Sequence, residues 1–193
     1  MVCVEVTLDG SPFRRVGIKD ASLITPTVLG FVDDGAPARL ELSGMCDLGG
    51  ERAAHVYWGP DDVALNDGTV VTFRLAMCEF PSPPDQVVPT DSPAYIEEQR
   101  EFAALRKSVL PYINPSRRAF PELAFYCRIN QGLVTVARLN PGEDHILCSM
   151  FWGKWHPDRL EVSVSTFGDD TAKTEWLRKD LAVGDELEIR VAA

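Results

Sequence analysis

The sequence predicts a mostly β protein with one α-helix, an α+β chain. Two tandem, duplicated antiparallel β units, each a small barrel or sandwich, are joined by a proline-rich strap and one amphipathic helix. Three observations predict this. The chain matches itself at shifts of 116–120 residues, short runs alternate apolar with polar residues between turn signals, and one central stretch follows neither pattern.

The duplication is read without gaps in three places. At a shift of 120, residues 31–43 (FVDDGAPARLELS) fall on 151–163 (FWGKWHPDRLEVS), pairing Phe31 with Phe151, Pro37 with Pro157, Leu40 with Leu160 and Ser43 with Ser163. At 118, residues 58–64 (WGPDDVA) fall on 176–182 (WLRKDLA), and at 116, residues 68–75 (GTVVTFRL) fall on 184–191 (GDELEIRV). The shift changes only at turns, where short insertions are tolerated. The boundaries follow: a first β repeat over 1–80, a proline-rich linker and helix over 81–121, and a second β repeat over 122–193.

In the first repeat, Val2, Val4, Val6 and Leu8 alternate as in a half-buried strand. Asp9-Gly10-Ser11-Pro12 turns the chain, and 15–19 runs back. A strand over 23–32 follows, broken at Pro26, and then 39–44 and 55–58. Asn66-Asp67-Gly68 is a hairpin turn before 70–76. The second repeat offers the same series over 125–129, 133–139, 145–152, 159–165, 174–176 and 186–191. Arg39 and Glu41, like Arg159 and Glu161, share a strand face and are expected to pair with neighbours.

Between the repeats, residues 81–93 hold five prolines and are excluded from a sheet interior. Asp91-Ser92-Pro93 is a helix entry, with capping side chains ahead of a proline in the first turn. Tyr95, Phe102, Leu105 and Val109 form the apolar stripe, and Pro111 ends the helix.

Charge narrows the function. The 193 residues carry a net charge of −10, with six basic and twelve acidic side chains over 1–80 and eight and twelve over 122–193. Such a body repels phosphate backbones and attracts basic partners, so no nucleic acid is expected. No stretch reaches the roughly 18 apolar residues of a membrane helix, so no membrane partner is expected. The N-terminus lacks the pattern of a signal peptide. The five cysteines show no CxxC spacing, which fits a reducing cytoplasm.

A search for chemistry finds no phosphate loop, HExxH, GxSxG or EF-hand pattern. A thiol–base pair such as Cys148 with His156 can be written, but Cys148 lies in an apolar run without a cation to activate it. The paired acids Asp33-Asp34, Asp61-Asp62 and Asp169-Asp170 sit at turns, where aspartate bonds its own backbone. No catalytic residue, metal site or cofactor is therefore expected. The duplication acts as a filter instead. Residues shared by both copies serve the fold, with Trp58 and Trp176 as core anchors, and residues peculiar to one copy are free to serve a site. By that test Lys154, Trp155 and His156 form a candidate binding turn. Asp33, Asp34, Asp61, Asp62 and Asp67 are candidates for facing a basic partner.

The ending W-x(3)-D-L-x-x-G-D-E-L-x-I-x-V, residues 176–191, resembles endings of bacterial immunity proteins, which neutralise secreted toxins. The resemblance implies a non-catalytic cytoplasmic protein that occludes a basic toxin domain through charge and shape complementarity. Two other readings stay open: a small-ligand binder or enzyme with a pocket between the β halves, using Trp152, Trp155 and His156, and a structural subunit that self-associates through strand edges.

Overall fold

In the computed structural model the described residues are 1–19, 21–31, 36–50, 52–60, 63–97, 99–100, 122–168 and 173–193. Among them the chain forms fourteen strands. They are β1 (Val2–Leu8), β2 (Ser11–Val16), β3 (Ala21–Phe31), β4 (Ala38–Gly49), β5 (Arg52–Tyr57), β6 (Val63–Leu65) and β7 (Val70–Met77), then β8 (Gln86–Pro89), β9 (Ala124–Ile129), β10 (Val134–Arg138), β11 (His145–Gly153), β12 (Arg159–Phe167), β13 (Thr174–Ala182) and β14 (Glu186–Ala192). The protein is mostly β with one short helix, as the alternation of apolar residues requires.

The strands make two sheets that stay open at their edges, in a sandwich-like arrangement. One runs β10-β9-β14-β7-β1-β2 and the other β13-β12-β11-β3-β4-β5-β8, with β6 beside β4. Every neighbouring strand pair is antiparallel. Of the two architectures expected for the β units, the sandwich is the one formed. Neither half closes on itself, because each sheet takes strands from both.

The strand orders are palindromic, and the registers state the symmetry residue by residue. Val4 pairs with Leu75 as Phe125 pairs with Val191. Ile24 lies opposite Gly44 as Cys148 lies opposite Val164. Leu40 faces Val63 as Leu160 faces Leu181, and both leucines are buried. Across the seam, Val70↔Arg190 and Glu186↔Arg74 exchange, as do Ile24↔Trp152 and Cys148↔Val28. A pseudo-twofold axis therefore passes between β7 and β14 in one sheet and between β3 and β11 in the other. Hydrogen bonds obey it too: Gly68 N–H donates to Val191 O at 3.0 Å and Gly184 N–H donates to Leu75 O at 2.8 Å.

Two sequence matches do not survive in the register. Phe151 pairs with Glu161, while Glu41 pairs with Thr27, so Thr27 and not Phe31 is the counterpart of Phe151. Trp58 donates its backbone N–H to Leu42 O, whereas Trp176 is the extra residue of a bulge between Leu177 and Glu175. Trp58 is a core anchor at 1% exposure, but Trp176 is only half-buried. Trp58 follows the end of β5 beside β4 and Trp176 sits in the bulge of β13 beside β12, so the two tryptophans come near equivalent strands without being equivalent.

One continuous core unites the sheets. Val4, Val6, Val71, Phe73, Phe125 and Ile189 from one meet Ile24, Val28, Leu40, Val162 and Trp152 from the other. Gly30 marks the close approach, since a Cβ there would stand 2.9 Å from Leu123 Cδ2 and 3.0 Å from Phe125 Cζ. Large buried side chains of this kind contribute about 1.5–3 kcal/mol each.

The strap lies where proline permits, on an edge. Ser82 N–H donates to Arg15 O of β2, the Trp58 indole donates to Ser82 O, and β8 pairs with β5. It thus links the edges of both sheets on the first-half side. The helix entry is as predicted: the Ser92 hydroxyl accepts the Tyr95 N–H at 3.3 Å, and 93–97 and 99–100 are helical. Tyr95 stacks on His55 and bonds its Nε2 at 2.9 Å. The remainder of the predicted stripe, Phe102, Leu105 and Val109, lies outside the described residues. No helix among the described residues is long and apolar enough to cross a membrane.

Candidate functional site

The turn singled out by the duplication filter joins β11 to β12. Its first half belongs to the core: Trp152 is 7% exposed, opposes Ile24 across the seam, and its indole N–H donates to Pro157 O at 3.1 Å. The turn is closed by His156 N–H to Gly153 O at 3.0 Å and Arg159 N–H to His156 O at 3.3 Å. Lys154 N–H donates to Ser22 O, which ties the turn to the start of β3.

That rigid base carries an exposed tip. Lys154, Trp155 and His156 are all exposed, and Trp155 leaves 68% of its surface open. Gly153 makes room for it, since a Cβ there would sit 3.3 Å from both Trp155 Cε3 and Phe151 Cε1. The indole is thus braced at the strand end with Lys154 Nζ 5.6 Å from its ring centroid. This is a large aromatic held in one place at little further entropic cost.

Beside it stands the β4–β5 hairpin of the other half. Gly49 and Gly50 adopt φ of +83° and +62°, and Gly49 N–H donates to Asp47 Oδ1 at 2.8 Å. Between the two hairpins opens a groove of about 800 Å³, lined by Lys19, Asp47, Leu48, Trp152, Lys154 and Pro157 among others. Lys154 Nζ stands 3.8 Å from Asp47 Oδ2 across it; both groups are about half exposed, so the pair contributes little to stability. Asp47, Leu48 and Lys19 were not anticipated. Reading β4 as ending at Gly44 hid the hairpin, although the Asp47-x-Gly49-Gly50 run is itself a turn signal.

Of the remaining predicted site residues, Asp67 is not brought to this groove. Asp67 precedes β7, whose start lies opposite the end of β1, whereas Lys154 adjoins the start of β3, which follows β2 from the other end of the sandwich. Asp67 accepts the Ala193 N–H at 3.1 Å and lines a separate cleft with Glu122, Tyr126 and Arg138. Asp33, Asp34, Asp61 and Asp62 lie outside the described residues. Comparison with models of protein families, with curated proteins and with solved structures returns no match.

The cysteines are set up for packing. All five are buried, burial pushes the Cys127 thiol up to about 12, and burial with the neighbouring Cys127 pushes Cys148 well above the ordinary thiol range. Cys148 lies mid-strand, five residues before Gly153 and so roughly 16 Å from the turn, and the buried thiol does not meet the exposed His156.

A second polar centre lies at the opposite end. Glu143 is 2% exposed and accepts the Asn140 N–H at 2.7 Å and the Thr174 hydroxyl at 2.8 Å. Burial pushes its pKa up, but the Asn140 backbone and the Thr166, Thr174 and Asn140 side chains outweigh that and hold it below its ordinary value. Asp144 bonds His145 Nδ1, and the His145 ring stacks on Phe167. This network closes the sandwich between β10 and β13. Among the described residues no three His, Cys, Asp or Glu side chains are placed to hold a metal.

Proposed function

We propose that this chain is a non-catalytic binding protein of the immunity type, which occludes a toxin domain through the groove between its two hairpins. One observation carries the reading: a tryptophan 68% exposed, held by a closed turn, beside a lysine and an aspartate at the rim of an open groove. Rigid aromatics flanked by polar groups are the anchors of protein interfaces. The net charge of −10 adds long-range attraction for a basic partner and speeds encounter. The resemblance of the ending at 176–191 supplies the partner class, a secreted toxin domain kept inactive within the cytoplasm of its producer.

The test is a comparison of wild type with Trp155→Ala as immobilised bait for a purified toxin domain produced by the same host. Loss of a central aromatic anchor weakens binding by about 30-fold or more, and the toxin's activity returns. Equal binding by both forms removes the tip from the interface. A second reading draws on the groove's position at the seam of the halves, with the Trp152 indole at its wall: a small amphipathic ligand fills it. That reading gains if Trp155→Ala leaves toxin binding intact while Leu48→Lys abolishes capture of small-molecule ligands detected by native mass spectrometry.

A further inference from the structure

Among the described residues the outer strands of the two sheets are not alike. Strand β2 is crossed by Ser82 of the strap, carries Arg14 and Arg15, and is paired to β1 through a bulge. Strand β8 is four residues long and ends at Pro89. Strand β13 holds a bulge, and Lys179 pairs with the core residue Val162, placing a charge on the inward-facing side of an edge. Short length, proline, bulges and inward charges are the devices that keep sheet edges from pairing with other chains.

Strand β10, five residues long, holds no proline, no bulge and no inward charge. Its pairing with β9 is unbroken over five residues, its sequence is Val134-Thr135-Val136-Ala137-Arg138, and the only charge is at the end. Among the described residues its backbone makes no hydrogen bond on the side away from β9. Leu133 at its start is 96% exposed and Val134 is 50% exposed. Thr135 and Ala137 face Cys127 and Phe125 of the core, so Val134 and Val136 lie on the outer face with Tyr126.

We propose that β10 is the contact through which a second copy of this chain docks, edge to edge and antiparallel. The strand is self-complementary about Val136. With Val136 facing its own counterpart, Thr135 meets Ala137, Val134 meets Arg138, and the exposed Leu133 reaches the half-buried Leu139. No like charges oppose one another, which matters for two bodies of net charge −10. The two six-stranded sheets become one, and the contact is isologous, the commonest form of homodimer. It lies on a different strand from the two-hairpin groove and stands whether or not that groove binds a toxin.

The test is sedimentation velocity over a range of concentrations with three forms of the full chain. Wild type shows a reversible dimer. Val136→Lys sets two ammonium groups opposite each other and weakens the dimer at least about tenfold, while Val87→Lys, the same change at a more exposed valine on the strap, leaves it unaltered. In Val136→Cys the thiols of the two copies face each other, and a disulfide-linked dimer appears on mild oxidation. A wild type that stays monomeric at its highest soluble concentration overturns the proposal and leaves the edge to a strand of some other protein. So does a dimer indifferent to Val136→Lys, or one equally weakened by Val87→Lys.

Discussion

Asp9 and Asn130 occupy equivalent places on either side of the pseudo-twofold axis. Both are non-glycine residues with positive φ, 50° and 52°. The Asp9 carboxylate accepts the Val70 N–H at 2.8 Å, and the Asn130 side-chain oxygen accepts the Glu186 N–H at 2.9 Å. Their own backbone N–H groups donate to Val70 O and Glu186 O, each at 2.8 Å. Aspartate and asparagine are the side chains that best tolerate this left-handed conformation. The first and second hairpins are thus pinned to β7 and β14 by the same device.

The duplication predicts matched losses. Asp9→Ala and Asn130→Ala each remove one side-chain acceptor and place alanine at positive φ, Asn130→Ala also removes the amide donor to Asp185 Oδ1, and each is expected to destabilise the fold by about 1–3 kcal/mol. The sites lie at opposite ends of the sandwich, so the double variant should lose the sum of the two. Urea unfolding of the four proteins measures this, and strong non-additivity would show that the ends are coupled through the core.

Gly44 is fixed by space and not by its turn propensity. A Cβ at this position would approach Leu23 O to 2.6 Å. Gly44→Ala is expected to cost about 1–3 kcal/mol through displacement of β3 from β4. Gly10, with φ of +77° and open space around it, provides the contrast: there alanine is penalised by backbone conformation alone. Thermal denaturation of the two variants, with amide exchange of β3, separates the mechanisms.

Acid should loosen the β10–β13 side first. Glu143 has a lower pKa folded than unfolded, so its contribution is present above the ordinary value of 4.5 and is lost as pH falls from there through the folded value. Asp185, lowered by the Asn130 amide and the Ala182 N–H, loses its contribution in the same direction below 3.8. Glu143→Gln is expected to be less stable at neutral pH and to show a flatter stability profile below 4.5. An unchanged profile would place the acid sensitivity elsewhere.

The strap depends on Trp58. Trp58→Phe keeps most of the buried ring but removes the donor to Ser82 O at 2.9 Å. A loss of about 1–2 kcal/mol is expected, together with faster proteolysis within 81–93, the segment held to both edges by few hydrogen bonds. Equal proteolysis rates in wild type and variant would show that β8 pairing alone holds the strap.

The sequence by itself determined most of the strands, though not β6, β8 or the far end of β4, together with their antiparallel turns, the helix entry at Ser92 and the fact of duplication, because these follow from local alternation, turn chemistry and repeated identity. Leu40 and Leu160 were legible as equivalents for that reason. It also separated the Lys154–His156 tip from the residues that both halves share. Which strands would be neighbours was decided only in three dimensions. Two copies of one plan bury more apolar surface by interleaving into two common sheets than by closing separately, and no local signal encodes that choice. The same holds for the groove. Asp47 and Leu48 belong to one half and Trp152 and Lys154 to the other, and only pairing across the β3–β11 seam sets them side by side. Trp58 and Trp176 mark the limit from the other direction: identical letters at a constant shift, separated by a bulge that becomes visible only when backbone hydrogen bonds fix the register.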